Sequence, residues 1–376
     1  MKRLLLFLSI FFFFSANNFP SANENIPDFT PSPPFNSPLS KGGHRGVEEE
    51  FAVSLIAVGD VMIGGHVKEF TDQFGFGYPF EITRVILAGA DLTFCNLEGP
   101  LSTKGVKEEN KEFAFRTNPK AAEGLANAGF DVVSLANNHI MDYGQDALFE
   151  TIAHLEKNNI KGIGAGKDLS SSRKPALFEV NGVTIAFLAY AFTFPLHFYA
   201  EPDKPGSAPG VSEFIERDIK KAKKKNDIVI VSFHWGAELM TEPKEHQIKI
   251  GHSAIDWGAT IVLGHHPHIL QGIELYNNGL IAYSLGNFAF GSYSKNVKDG
   301  MILSIRFNKA GVSEAKIIPI SVYNIDVLFQ PKVLKGDEAK RVIDNLKEIS
   351  RIFNTEIEFA DNTGVVVLKK VKSVGF

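Results

Sequence analysis

Short apolar runs punctuate the chain from about residue 51 onward: "FAVSLIAVG", "DLTFCNLE", "DVVSLANNH", "VTIAFLAYA", "DIVIVSFHWG", "TIVLGHHPH" and "GLIAYSLGNF". Each is four to ten residues long, rich in Val, Ile, Leu and Phe, and bounded by Gly, Asn or Asp. That is the pattern of strands buried on both faces. Between them, apolar positions recur at helical spacing over about 79–88, 119–129, 144–158, 211–226 and 243–257. Alternation of buried strands with amphipathic helices predicts a layered α/β core. Beyond it the pattern shifts to "GMILSIRF" and "VSEAKIIPISVY", a helical "GDEAKRVIDNLKEISRIF" and a closing "TGVVVLKKV". These predict antiparallel strands and one helix, so the main domain is read as 51–325 and residues 326–376 as a helix and strand completing it.

The first fifty residues follow different rules. Lys2 and Arg3 precede the apolar run Leu4–Phe14, which has the length of a secretory h-region and is short for a membrane span. With the small pair Ser21-Ala22, this predicts a signal peptide or N-terminal anchor over 1–22. Residues 23–50 are rich in Pro, Ser, Asn and Gly with no apolar period, and predict a flexible linker. The expected location is therefore exported: periplasmic, extracellular or tethered to the outer face of the cytoplasmic membrane.

Composition narrows the partners. With 44% hydrophobic residues the chain can bury a large core. Its 39 basic and 43 acidic residues leave a formal charge of -4, so no global field favours nucleic acid. The run "KKAKKK" reads as the solvated face of a helix. Cys95 is the only cysteine, which excludes an internal disulfide.

The candidate chemistry gathers where apolar runs end: Asp60, then Asn96 and Glu98, then Asn137, Asn138 and His139, then His234, and finally His265, His266 and His268. In layered α/β folds the carboxyl ends of neighbouring strands line one crevice, so these residues can converge. Carboxylate, amide and imidazole without thiolate suit Zn, Mn or Fe better than Ca. In "HPH" an extended backbone would send His266 and His268 to the same side. Two close ions sharing a carboxylate polarise a phosphoryl oxygen and activate water. Taken one at a time the same residues have plainer readings: Asp60 as a turn or cap, "NNH" as an Asx turn, His234 as a satisfied core histidine.

The ordered set "GDVMIGG", "NLEGPLS", "FRTNP", "SLANNHIMDYG", "IGAG", "SFHWGAE", "LGHHPH" and "YSLGNF", over about 53–291, resembles the CapA or PgsA family of capsule and poly-γ-glutamate synthesis proteins. That family is similar to the calcineurin-like metallophosphoesterases, which implies a four-layer α/β/β/α sandwich and two divalent metal ions, Mn, Zn or Fe. By position the resemblance implies that Asp60 and His268 bind the first ion. Glu98 bridges where phosphoesterases have an aspartate, and Asn138, His234 and His266 bind the second ion. His139 would stand near the substrate, oriented by Asp142, with Asn96 and Asn137 close by. The chain departs from the superfamily at Met62, where a histidine is usual two residues after the first aspartate, and His66 is the candidate substitute. His265 would be a surrounding or surface group, Asn287 a pocket residue, and Arg116 an anion holder through its planar fork. The implied partners are an anionic polymer or phosphorylated envelope substrate and a membrane-bound capsule synthesis complex. The competing function classes are an envelope hydrolase unrelated to polyglutamate and a non-catalytic protein whose metal is structural.

Overall fold

A computed structural model describes residues 52–109 and 111–368. The expected leader over 1–22 and linker over 23–50 lie outside the described residues. The strands are β1 (Val53–Met62), β2 (Leu92–Leu97), β3 (Val132–Ser134), β4 (Lys161–Ile163), β5 (Ala165–Gly166), β6 (Ala176–Val180), β7 (Val183–Ala191), β8 (Gly206–Ser207) and β9 (Ile228–His234). They continue as β10 (Ile261–His265), β11 (Ile273–Tyr276), β12 (Gly279–Ala282), β13 (Asn287–Phe290), β14 (Asp299–Asn308), β15 (Gly311–Ser321), β16 (Lys332–Val333), β17 (Ile357–Ala360) and β18 (Thr363–Val366). The larger sheet runs β17-β18-β15-β14-β1-β2-β3-β4, with β13 beside β1 and β16 beside β15. The second sheet runs β11-β12-β10-β9-β7-β6.

Side-chain alternation along the central strands builds the layers. In β1, Val53, Leu55 and Ala57 join Phe187, Ile230 and Leu263 of the second sheet in one core between the sheets. Ile56 and Val58 point the other way, against Leu125 and Leu148 of helices Ala121–Ala128 and Gly144–Lys157. The outer face of the second sheet, with Leu188, Val231 and Val262, is covered by Ile215, Ile219 and Ala254 of helices Ser212–Lys223 and Glu245–Asp256. The architecture is thus helix, sheet, sheet, helix: a four-layer α/β/β/α sandwich. The helix Gly336–Ser350 adds Ala339, Val342, Ile343 and Leu346 to the inter-sheet core.

Two elements differ from the sequence expectation. "GLIAYSLGNF" reads as one strand but forms two, in different sheets: β12 beside β10, and β13 beside β1. The switch is made at Gly286, whose φ of 70° lies in the left-handed region. A Cβ on Gly59 would come within 1.8 Å of the Gly286 carbonyl oxygen, so the two backbones meet there, and the Asp60 N–H donates to that oxygen at 3.0 Å. The helix expected over 79–88 is broken into a 3-10 turn, Tyr78–Phe80, and the short helix Arg84–Leu87. Thr83 sits at the break, its hydroxyl donating back to the Phe80 carbonyl at 3.3 Å, a bond that competes with the helical ladder.

Candidate metal centre

Strands β1, β2 and β3 are parallel, as are β7, β9 and β10, so their carboxyl ends collect at one end of each sheet. Asp60 stands near the end of β1, Glu98 follows β2, Asn137 to His139 follow β3, and His234 and His265 close β9 and β10. The His266 N–H donates to Asp60 Oδ2 at 3.2 Å and ties the two sheet ends together. His266 and His268 reach the site by a different route from the extended one expected. Their φ values are 95° and 61°, a left-handed turn that ordinary side chains enter only at a cost of about 1–3 kcal/mol each. The turn brings their rings to 5.9 Å and sets the His266 ring 4.7 Å from that of His234.

Two asparagine amides space the donors. Asn96 Nδ2 donates to Asp60 Oδ1 at 2.8 Å and to Glu98 Oε2 at 3.3 Å. Its Oδ1 accepts from Asn137 Nδ2 at 3.1 Å, and Asn137 Oδ1 accepts the His139 N–H at 3.1 Å. The side-chain oxygen of Asn138 lies 2.8 Å from His234 Nε2. His268 Nδ1 faces two oxygens, Asn287 Oδ1 at 2.9 Å and Asp60 Oδ2 at 3.2 Å. Its other nitrogen is 3.9 Å from Glu98 Oε1. His139 Nδ1 lies 2.7 Å from Asp142 Oδ2; a carboxylate only accepts, so Nδ1 carries the proton and Nε2 is turned toward Glu98 Oε1 at 3.6 Å.

The donor chemistry fits divalent cations. Asp60, Glu98 and His234 are buried, and one donor atom from each lies within 4.8 Å of the others; Glu238, His266 and His268 form a second such trio. Glu98 Oε1, His266 Nδ1 and both nitrogens of His265 are buried without a hydrogen-bond partner among the described residues. Orphaned buried groups are costly, and a cation satisfies lone pairs that no protein donor reaches. Protonation follows the same logic. Burial together with the charge of Asp60 pushes Glu98 up to about 8. Burial opposes the charge of Asp60, yet the adjacent imidazoles of His265 and His268 hold it well below the usual carboxylate range. Burial also works against His268, but Glu98 and Asp60 raise it to about 10. Burial, reinforced by neighbouring imidazoles, brings His266 down to about 3 and His234 well below its ordinary value, which favours the neutral ring in both.

The model of the bacterial capsule synthesis protein family PGA_cap matches residues 54–292. The chain belongs to this family. It is 34% identical over 310 residues to the PGA biosynthesis protein CapA of Bacillus subtilis, covering 82% of this chain and 79% of that one. It is 32% identical to the capsule biosynthesis protein CapA of Bacillus anthracis, covering 74% and 69%. Among solved structures, the NAD nucleotidase of Haemophilus influenzae aligns over 79% of this chain and 56% of its own. Its identity is 15% and its TM-score 0.45, too slight a likeness to bear on function. The stretch matched by the PGA_cap family carries every donor from Asp60 to Asn287 and stops just before β14.

Some expected residues stand apart from the centre. His66 is exposed, its ring 5.0 Å from that of Tyr293, and adds no imidazole to the cluster. Met62 Sδ accepts the Gly64 N–H at 3.2 Å. Arg116 is also exposed: it lies 4.1 Å over the Tyr143 ring and donates to the Lys104 carbonyl at 3.2 Å, so it holds protein rather than facing the cluster. His265 is fully buried beneath Asp60, with Nδ1 3.3 Å from Asp60 Oδ1, rather than a surface group. Sequence reasoning missed Lys111, Phe115 and Glu238. Lys111 Nζ contacts the Asn138 carbonyl and Asp142, and lies 2.9 Å from His139 Nδ1. The Phe115 N–H donates to Asp142 Oδ2 at 2.7 Å while its ring sits 4.6 Å from that of His139. "KEENKEFAF" looks like a solvated charge run, and only its return onto the β3 turn gives Lys111 a role.

Proposed function

We propose that this family member is a metal-dependent hydrolase of the phosphoesterase type, acting on an anionic polymer or phosphorylated envelope substrate in the service of capsule or polyglutamate synthesis. The observation that carries it is the convergence of buried Asp60, Glu98, His234 and His266 with half-buried His268, in which Glu98 Oε1 and His266 Nδ1 have no hydrogen-bond partner among the described residues. When bound, two divalent ions, Mn, Zn or Fe, would supply Lewis acidity toward a phosphoryl oxygen and acidify water. Asp60 and His268 would hold the first; Asn138, His234 and His266 the second; Glu98 would lie between them.

The remaining residues handle the proton and the charge. Asp142 fixes the His139 ring by its Nδ1–H, leaving Nε2 at the edge of the donor set. From there the protonated ring, through its Nε2–H, can stabilise developing negative charge or pass a proton to a leaving oxygen. Phe115 covers one side of the ring, and the Lys111 ammonium adds positive charge beside a site meant for anions. The apolar run Leu4–Phe14 behind Lys2 and Arg3 supports action outside the cytoplasm, at or near the outer face of the membrane. The assignment of the two Bacillus relatives to PGA and capsule biosynthesis supports a part in making such a polymer, with a capsule synthesis complex as the partner this proposal expects.

Met62, in place of an imidazole, favours a second reading, an assembly factor that binds metal without turnover. Hydrolysis of a simple phosphodiester with added Mn or Zn separates the two. The proposal expects turnover that falls by about 10²–10⁴ in His139→Ala with metal content unchanged. A wild-type protein that holds metal and cleaves neither the diester nor envelope polymer selects the assembly role.

A further inference from the structure

The donors differ in exposure. Asp60, Glu98 and His234 are all buried, whereas the trio of Glu238, His266 and His268 includes one exposed carboxylate. Glu238 lies in the turn between β9 and the helix Glu245–Asp256, and that turn is fastened from within. The Leu239 N–H donates to the Pro267 carbonyl at 2.9 Å, in the middle of the histidine turn, and Leu239 itself takes a φ of 60°. Gln271 Nε2 donates to the Met240 carbonyl at 2.7 Å and its Oε1 accepts from Gln247 Nε2 at 3.0 Å. Both glutamines are fully buried. Gly236, at a φ of 86°, lets the chain pass so close that a Cβ there would meet the Gln247 amide at 2.5 Å.

Two buried amides and a left-handed leucine are a large outlay of order for a solvent-facing loop. What they fix is one carboxylate against two imidazoles, one of which, His266, has a buried Nδ1 with no partner among the described residues. His66 brings no third imidazole to them, since its ring faces Tyr293.

We propose that Glu238 is a metal ligand, adding a solvent-facing carboxylate beside His266 and His268 to one of the two divalent cations of the proposed centre. Carboxylate together with imidazole suits Mn, Zn or Fe. The inference rests on the reading of the site as a metal centre and deepens it: the cation that Glu238 reaches is the more exposed of the two, and it exchanges first.

Metal-stripped full-length protein and its Glu238→Gln variant are titrated with Mn, followed by calorimetry and by the electron paramagnetic resonance of the free ion. Glu238 is exposed and glutamine has its shape, so the variant keeps its fold, which circular dichroism checks. The expected result is two classes of site in the wild type, with the weaker one lowered by about tenfold or more in the variant and the tighter one unchanged. Two unchanged classes in the variant would overturn the role of Glu238 alone, as would loss of both classes from a folded variant. A wild-type protein that takes up no Mn would overturn this inference together with the metal-centre reading.

Discussion

At the scale of single residues, the centre is organised by competition for protons. Glu98 is pushed up to about 8 by burial and the Asp60 charge, and His268, despite burial, up to about 10 by Glu98 and Asp60. A ligand must be deprotonated, so cation uptake releases protons from these two groups. The sign follows: raising the pH removes the competing protons, and affinity climbs as pH passes from 6 through about 8 for Glu98 and on toward about 10 for His268. Calorimetric titrations across that range, in buffers of different ionisation enthalpy, check it; affinity that is flat with pH and no proton release would contradict it. Asp60, Glu98, His234, His266 and His268 stand out as candidates in the sequence because each lies at the end of an apolar run, whereas the left-handed turn that carries the last two does not. Lys111 and Glu238 are not legible there: Lys111 sits in a charged run and Glu238 four residues beyond the end of β9, and they acquire meaning only through the Lys111 contact with the β3 turn and the fastening of Leu239 to Pro267.

At the scale of elements, the strands fix where the donors end up. Leu263 sits in the inter-sheet core of β10, two residues before His265, and is fully buried. Leu263→Ala is expected to cost about 2–5 kcal/mol of stability by leaving a cavity between the sheets. Chemical denaturation measures it, and a loss below about 1 kcal/mol would mean that the sheets do not pack as described. Most strands and helices were legible from period and length. The sheet switch inside "GLIAYSLGNF" was not, because Gly286 reads equally as a break within a strand and as a crossing between sheets. Its consequence is functional, since the crossing lays Asn287 beside Asp60 in register and within reach of His268. The hairpin between β6 and β7 has a local signal in Asn181-Gly182, both at positive φ.

At the scale of the whole molecule, the site exists only where the ends of two sheets meet. The larger sheet continues beyond the stretch matched by the PGA_cap family: β14 pairs with β1, β15 with β14, and the helix Gly336–Ser350 seals the space between the sheets. That framework supports the strained turn at His266 and His268 on one side and the Asp60–Asn96–Glu98 group on the other. The measurement that tests the central claim most directly is transition-metal content of the untagged protein beside that of the His266→Ala, His268→Ala double variant. The account predicts near two equivalents in the wild type and a sharp loss in a double variant that still unfolds cooperatively. Equal metal content in the two folded proteins, or none in the wild type after reconstitution, would contradict it.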